Sequence, residues 1–319
     1  MTDTDKITKP QGRLKTTLAI KLALWLAVTL ALSLIFMRHF WLGLPAMLSP
    51  SWVLGQHHAS PWAVLALCLV FLWLKRQGTW QRMLANGGFR VGNSRRVLLF
   101  YSLRVLLGIV IVAAAILMPT SSDYWVFQLI LLSLGLFTIL FGRAAQIPST
   151  LLAIYGFAVS FPLLITRYAE YAYSRATIAP LIWLLSALGY PLQNQQQLVQ
   201  FTCVTGEPIR VAITSACAGP ATMGVFIALF ALMTLDIPLP PKKAAALFLF
   251  GVAGTWVQSF IRLIILLLVG YYLGEDALWT AHFWTIYVIF PLWYVIFAVI
   301  YFWQARRPAE ASSQQRVAG

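Results

Sequence analysis

Long apolar runs separated by short polar segments make up most of the chain. Eight of the runs are long enough, or nearly long enough, to cross a bilayer as helices, which takes roughly 20 residues. They lie over about 18–37, 60–74, 97–118, 124–141, 149–165, 214–235, 244–270 and 283–303. A shorter run covers about 178–189 and is followed by a polar stretch from Gln193 to Arg210. The pattern predicts an all-α polytopic membrane protein.

The composition agrees with this interpretation. Of the 319 residues, 60% are hydrophobic and 10% are charged, and the mean hydropathy is +0.79. These values are typical of a polytopic membrane protein and not of a soluble domain. The net charge of +14 comes mostly from Lys and Arg residues between the apolar runs. Because such residues anchor helices at the cytoplasmic face, the charge does not indicate a nucleic-acid partner.

The cysteines and histidines argue against a disulfide framework and against a metal site. Three cysteines, Cys68, Cys203 and Cys217, are too few for such a framework. His57 and His58 have no Cys or carboxylate at ligand spacing, so we expect no metal and no organic cofactor. A disulfide between Cys203 and Cys217 remains an alternative that would remove both thiols from chemistry.

Basic residues orient the chain by the positive-inside rule. The segment Lys75–Arg96 holds six basic residues and no acid, and further basic residues lie before the first run, at 242–243 and after 303. We expect all of these segments in the cytoplasm. The segment 271–281 holds Glu275 and Asp276 and no basic residue, so we expect it outside.

The number of crossings must agree with these charges. If every apolar run crossed, Lys75–Arg96 and the tail would lie on opposite sides of the membrane. The 178–189 run is the weakest candidate, so we interpret it as a re-entrant or interfacial helix, which leaves about eight transmembrane helices. The alternative is that Arg143 interrupts one long segment. The preferred count puts both termini inside and 166–213 outside.

This topology predicts three regions. A cytoplasmic segment covers 1–17, a single integral-membrane domain covers 18–303, and a cytoplasmic tail covers 304–319.

The same topology places three reactive side chains near one face of the membrane. Cys217 is expected at the outer start of one helix and His282 at the outer start of the last. Arg262 is expected about eight residues, or roughly 12 Å, below the outer end of the helix between them. Ionisable residues at membrane depth are costly and often mark functional sites. A thiol, a fixed cation and an imidazole together suit acyl transfer.

Each of the three has a chemical role and a structural alternative. Cys217 would be the nucleophile, His282 the general base and then acid, and Arg262 the group that stabilises a tetrahedral intermediate. Gln258, one turn before Arg262, would orient the guanidinium. Alternatively, Cys217 is packing, Arg262 pairs with the acids of 271–281, and His282 belongs to an interfacial aromatic belt.

These segments resemble the exosortase/archaeosortase family of integral-membrane cysteine transpeptidases over about 200–303. The family shows a Cys followed by a small residue and Gly, matched by Cys217-Ala218-Gly219. It then shows an Arg on the next helix and a His that opens the last helix, matched by Arg262 and His282.

Three departures from the family pattern mark a divergent member. The usual Ser after the Cys is Ala218, the Asn three residues before the Arg is Ser259, and a Gly four residues after the His is Ile286. From the resemblance, Gly219 and Ser259 are expected to support the catalytic residues.

The resemblance implies a membrane-embedded cysteine protease or transpeptidase that acts on secreted proteins. Its substrates would carry a C-terminal signal made of a short motif, a transmembrane helix and a basic tail. The Cys would cleave near the motif through a thioester, and the acyl group would pass to a lipid or another membrane-linked acceptor. The active site would lie near the outer face of the cytoplasmic membrane.

The outer segment 166–213 holds the residues expected to contact the substrate, which are Arg167, Tyr171, Arg175, Glu207 and Arg210. An interfacial aromatic belt is the alternative explanation for the first three. Two other functions remain open: a transporter with Arg262 in its path, and a non-catalytic scaffold of an envelope or polysaccharide export system. The chain shows no internal repeat, which argues against a transporter.

Overall fold

The computed structural model describes residues 5–49, 59–78, 80–81, 95–118, 125–195, 197–214 and 219–317, and within these ranges the protein is mostly helical. The α-helices are α1 (Asp5–Phe36), α2 (Arg38–Met47), α3 (Ala59–Leu74), α4 (Arg95–Leu117), α5 (Trp125–Phe141), α6 (Gln146–Tyr168), α7 (Glu170–Ala187), α8 (Pro220–Asp236), α9 (Pro241–Leu273) and α10 (Glu275–Val317). One turn of 3-10 helix, Gly142–Ala145, separates α5 from α6.

Two groups of described helices have the composition of membrane spans. Four are long and apolar enough to cross a bilayer by themselves, and these are Thr16–Phe36, Gln146–Tyr168, Pro241–Leu273 and Glu275–Arg306. Four shorter apolar helices are Ser60–Leu74, Tyr101–Leu117, Trp125–Phe141 and Pro220–Asp236. The protein is therefore a polytopic membrane protein. Helix α7 belongs to neither group.

The chain divides into two compact units. The first comprises Met1–His58 and Leu65–Gly156. In it, α4 and α5 approach so closely that a Cβ atom added to Gly108 or to Gly135 would lie 2.9 Å from the carbonyl oxygen of the other glycine. Small residues allow such close contact between helix backbones in membranes.

The second unit comprises Ala59–Val64 and Phe157–Gly319 and contains a small antiparallel sheet. Its strands are β1 (Gln193–Gln195), β2 (Leu198–Thr202) and β3 (Pro208–Ala212), in the order β1-β2-β3. One face of the sheet packs on α7, α9 and α10, and the buried side chains at this contact are Ile178, Leu181, Leu185, Val199, Phe201, Cys203, Ile209, Ile213, Leu263, Leu266, Leu267 and Leu278.

The sheet corrects the all-α prediction. Its strands lie inside the stretch from Gln193 to Arg210 that the sequence marked as polar, because alternating residues such as Val199, Phe201 and Ile209 are buried while their neighbours are not. A period of two over only three to five residues is a weak signal beside the long apolar runs. The sheet is fastened to α9 by a hydrogen bond from the Val204 N–H to the Tyr271 carbonyl, 2.9 Å long.

Candidate active site

A one-residue turn makes α9 and α10 antiparallel neighbours. α9 ends at Leu273, Gly274 makes the turn, and α10 begins at Glu275. Gly274 has φ +88° and ψ −177°, a conformation that is essentially restricted to glycine. Its N–H donates to the carbonyl of Gly270 and closes the end of α9.

A buried stripe on each helix faces the other. The buried positions of α9 recur every three or four residues, as expected for one helix face, and include Thr255, Ser259, Arg262, Leu266 and Gly270. On α10, Leu278, His282, Trp293 and Phe297 are buried. The indole N–H of Trp293 donates to the Thr255 hydroxyl at 3.1 Å, so polar contacts as well as apolar ones join the two stripes.

The guanidinium of Arg262 contacts the imidazole of His282. Its Nη2 atom lies 3.1 Å from Nδ1 and 3.4 Å from Nε2 of the ring, and it donates to the His282 carbonyl oxygen at 3.2 Å. Only 3% of Arg262 and 6% of His282 is exposed. Because a buried cation is costly unless it is hydrogen-bonded, these contacts fix the position of the guanidinium.

Thr285 holds another edge of the same guanidinium. The Nε–H of Arg262 donates to the Thr285 hydroxyl oxygen at 3.2 Å. Thr285 lies one turn after His282, so a single turn of α10 presents both partners. The sequence assigned an orienting role to Gln258, which is half-buried on α9, and that role stays a prediction. The acceptors described for Arg262 lie on α10. The signal in the sequence that could have identified Thr285 is its position one helical turn after His282.

The contact restricts the protonation of the His282 ring. A guanidinium donates hydrogen bonds and cannot accept them, so a ring nitrogen that accepts from Nη2 is unprotonated. Nη2 lies within hydrogen-bond distance of both Nδ1 and Nε2, so the contact is compatible with either tautomer of the neutral ring.

The start of α8 packs against the same stripe of α9. Gly219 precedes α8 with φ +99°, and a Cβ atom added there would collide with the side chain of Ser259, three residues before Arg262. The Thr222 hydroxyl donates to the Gly219 carbonyl at 2.7 Å, and the Thr222 carbonyl accepts from the Tyr294 hydroxyl at 2.7 Å. The first turn of α8 is therefore tied to both α9 and α10.

Two predicted helix starts are wrong. α8 begins at Pro220 and not near 214, because Gly219 has a left-handed backbone conformation and proline favours the first helical position. Cys217 thus precedes the helix by three positions and lies outside the described residues. α10 begins at Glu275, where two acids favour a helix N-terminus, so His282 does not open the helix but lies about 10 Å along it.

A small cavity lies directly beside His282. Its volume is about 20 Å³, which is room for about one water molecule. The end of β3, three leucines of α9 and the first turns of α10 line it with Val211, Ala212, Ile213, Leu263, Leu266, Leu267, Leu278, Trp279 and His282. His282 is the titratable side chain among these residues.

Glu275, one of the acids proposed as an alternative partner for Arg262, has another contact. The Glu275 carboxylate accepts a hydrogen bond from the indole N–H of Trp279 at 3.1 Å, one turn later on α10. Glu275 also lies seven residues, or about 10 Å, along the helix from His282. The described contacts of Arg262 therefore do not include an ion pair with Glu275.

The five residues expected to contact substrate are all exposed. Arg167 lies in the last turn of α6, Tyr171 and Arg175 lie on α7, Glu207 precedes β3 and Arg210 lies within it. Among the described contacts, none joins these side chains to Arg262 or His282. Their proposed role stays a prediction.

The second cysteine of this region is a free thiol. Cys203 is buried at the end of β2, and its sulfur lies 2.9 Å from the Thr205 hydroxyl. This hydrogen bond lowers the pKa of the Cys203 thiol. Cys203 is therefore not engaged in the disulfide that the sequence left open. Within the described ranges, no three His, Cys, Asp or Glu residues are grouped to hold a metal, and His57 and His58 lie outside those ranges.

Replacement of Gly219 by alanine is expected to destabilise the protein. The left-handed backbone costs about 1–2 kcal/mol for a residue with a Cβ atom, and the collision with Ser259 adds to this cost. Ser259→Ala removes the atom that the new Cβ would meet first, so the double variant should lose less stability than the two single variants together. The midpoint of thermal unfolding in detergent measures each effect.

Gly189→Ala is the matched control for this test. Gly189 also has a left-handed conformation, φ +92°, but open space surrounds the position of its Cβ atom. It should show the backbone cost alone. If Gly219→Ala lost no more stability than Gly189→Ala, the packing of Gly219 on Ser259 would be wrong.

Thr285→Val is expected to lower the free energy of unfolding by about 1–3 kcal/mol, because the Arg262 Nε–H loses its acceptor in a buried site. Thr285→Ser keeps the hydroxyl and should stay close to wild type. Thr280→Val, which removes an exposed hydroxyl bonded to the Asp276 carbonyl of the same helix, is the control. Equal thermal midpoints for the two valine variants in detergent would refute the role of Thr285.

Comparison with known proteins identifies the family. The sequence profile described as transmembrane exosortase matches residues 52–299, more than three quarters of the chain, and this span contains every residue of the candidate site. No curated protein and no solved structure matches the chain. Membership in this family implies a membrane transpeptidase that processes C-terminal sorting signals. The chain belongs to the transmembrane exosortase family.

Proposed function

We propose that this protein is a membrane-embedded cysteine endopeptidase or transpeptidase with Cys217 as nucleophile and Arg262 and His282 as its catalytic partners. It cleaves C-terminal sorting signals of secreted proteins and transfers them to a membrane-linked acceptor. The observation that carries the proposal is the buried contact between Arg262 and His282 in a chain of the transmembrane exosortase family. A transporter or a scaffold needs neither this pair nor the Cys217 thiol.

Covalent geometry supports the assignment of Cys217. Consecutive Cα atoms are about 3.8 Å apart, so the Cα atom of Cys217 lies within about 8 Å of that of Gly219. Gly219 packs on Ser259, which shares a helix face with Arg262. Gly219, two positions after the proposed nucleophile, therefore packs on the stripe of α9 that carries the guanidinium.

The first step forms the thioester. The Cys217 sulfur attacks the scissile carbonyl carbon, the thiol proton passes to His282, and the carbonyl oxygen becomes an oxyanion. In the resting arrangement Nη2 of Arg262 lies within hydrogen-bond distance of both ring nitrogens of His282, one of which must take this proton. Turning of the guanidinium from the ring toward the oxyanion would both free the ring nitrogen and stabilise the new charge. The C–N bond then breaks, and His282 returns the proton to the leaving amine.

The second step releases the acyl group. A nucleophile on a lipid or another membrane-linked acceptor attacks the thioester carbonyl, loses its proton to His282, and expels the Cys217 sulfur, which regains a proton. Water in the same position would give hydrolysis. The substrates are secreted proteins whose C-terminal signal combines a short motif, a transmembrane helix and a basic tail, and the exposed Arg167, Tyr171, Arg175, Glu207 and Arg210 are proposed to contact them. No cofactor takes part in either step.

The proposed topology has about eight transmembrane helices in one domain over 18–303, with both termini in the cytoplasm. The four long and four shorter apolar helices supply this number, and α7 with the sheet forms the outer segment. Arg262 then lies eleven residues, or about 16 Å, below the outer end of α9. A substrate held in the same bilayer by its own hydrophobic helix would reach this site from the side.

Removal of the Cys217 thiol is expected to abolish processing. The assay uses a secreted protein of the same genome that carries a tripartite C-terminal signal, expressed with wild type or with Cys217→Ala, and follows its cleavage by mass. We expect loss of at least about 10³-fold, as for removal of other catalytic nucleophiles. Equal processing by Cys217→Ala at equal membrane level would refute the proposal.

Two further variants sharpen the experiment. Cys203→Ala removes the free thiol at the end of the sheet and should process the reporter normally.

Arg262→Lys keeps the charge but loses the planar fork that reaches His282 and Thr285 together, and a loss of processing of about 10²–10³-fold is expected. Full activity of Arg262→Lys would remove Arg262 from the mechanism.

The proposed topology predicts opposite labelling of two exposed positions. In a background without Cys68, Cys203 and Cys217, a membrane-impermeant maleimide should label Val204→Cys on intact cells and Lys242→Cys only after permeabilisation. Val204 lies in the β2–β3 turn, which the topology places outside, and Lys242 lies at the inner start of α9. The reverse pattern would overturn the orientation.

A further inference from the structure

One edge of the sheet in the second unit is a strand with open backbone groups. The Cys203 N–H donates to the Glu207 carbonyl at 2.9 Å, and the Ile213 N–H donates to the Gln197 carbonyl at 2.8 Å. Hydrogen-bonded pairs alternate with non-bonded pairs in an antiparallel ladder, so Ile209 and Val211 bond to β2. The N–H and C=O groups of Arg210 and Ala212 therefore point away from β2.

These outward groups are available. No hydrogen bond among the described residues takes up the backbone N–H or C=O of Arg210 or Ala212, and both residues are exposed. Pro208, at the start of the strand, lacks an N–H and fits only at an edge. An edge of this kind is a template on which another extended chain forms a further strand.

The position of this edge links it to the candidate site. Val211, Ala212 and Ile213 line the same apolar cavity as Trp279 and His282. The chain continues from Ala212 to Cys217 in five residues. The open strand, the cavity and the Arg262–His282 pair thus follow one another along the same part of the second unit.

We propose that the substrate's sorting motif binds as an added strand on the open edge of β3. The backbone of the motif exchanges hydrogen bonds with Arg210 and Ala212, which gives affinity without regard to side chains. The methyl group of an alanine in the motif, which is about the size of one water molecule, enters the cavity beside His282. This mode of recognition is general for extended peptides at exposed sheet edges. The inference rests on the proposed function, since it assigns the peptide that the enzyme cleaves to this edge.

The substrate is favoured over two other occupants. The opposite edge, β1, has three residues and is separated from the cavity wall by β2. A second copy of the chain could pair β3 with β3, but nothing in such a pairing would use the cavity or lead toward Cys217. Because the edge of β3 adjoins the cavity beside His282, the scissile peptide is the favoured occupant.

Disulfide trapping tests the register of the added strand. Single cysteines replace Arg210 or Ala212 in a background without Cys68, Cys203 and Cys217, so the reporter is bound but not cleaved. Each is paired with a series of single cysteines along the motif of the tripartite-signal reporter and oxidised in membranes. Directly opposed residues of neighbouring strands have Cα atoms about 4.5–5.5 Å apart, within the range of a disulfide.

The expected result is a two-residue offset. The motif position that cross-links best to Arg210→Cys should differ by two residues from the position that cross-links best to Ala212→Cys, since both side chains lie on one face of β3. Asn194→Cys, exposed on the opposite edge of the sheet, is the matched control and should not cross-link. Cross-links without this offset, cross-links equally strong from Asn194→Cys, or disulfide-linked dimers of the enzyme in place of substrate adducts would overturn the proposal.

The fate of the reporter separates this inference from the proposed function. If wild type cleaves the reporter and Cys217→Ala does not, the enzyme is established whatever the cross-links show. If cleavage proceeds in Cys217→Ala, the proposed function fails, and the strand proposal fails with it.

Discussion

The second unit is organised around the burial of one cation. A guanidinium between two apolar helices is stable only if its donors find acceptors, and within the described contacts α10 supplies a ring nitrogen, a carbonyl oxygen and a hydroxyl to Arg262. These acceptors come from a single turn of one helix. Because the contacts are short and directional, they fix the rotation of α9 and α10 about their axes and not merely their distance.

The other elements of the unit are built on that helix pair. The sheet packs one face on the buried leucines of α9, and its β2–β3 turn is held to the last turn of the same helix by the Val204 hydrogen bond. The first turn of α8 meets α9 through Gly219 and α10 through Thr222. The last residues of β3 and the start of α8 at Gly219 therefore both pack against the helix pair that holds the cation.

The sequence predicted the eight apolar helices, because apolar length is a strong signal that tertiary contacts seldom override. It also predicted which residues are unusual, since Arg262 and His282 are conspicuous in apolar helices. It missed the strands, whose short alternating pattern is overwhelmed by the neighbouring apolar runs, and it placed the starts of α8 and α10 wrongly. Local features explain both errors. The left-handed backbone of Gly219 makes α8 begin later than predicted, and Glu275 and Asp276, which were interpreted as part of a loop, begin α10.

Thr285 is an example of a contact between helices that a single sequence does not reveal. A threonine in an apolar helix has no signature of its own, and its role depends on which residue of another helix lies opposite it. Gln258 was predicted as a partner because it shares a helix with Arg262 and its spacing can be counted. Interactions within a helix can be read from one sequence, but interactions between helices need the relative rotation of both.

Because Gly274 alone separates α9 from α10, the number of residues between Arg262 and His282 determines whether their side chains meet. Twenty positions separate Arg262 from His282, and almost all of them are helical. Each residue inserted or deleted between them would turn one partner by about 100° and move it by about 1.5 Å. Helix periodicity, and not a flexible loop, therefore sets the geometry of the Arg262–His282 contact. A change in the number of residues in this stretch is incompatible with that contact.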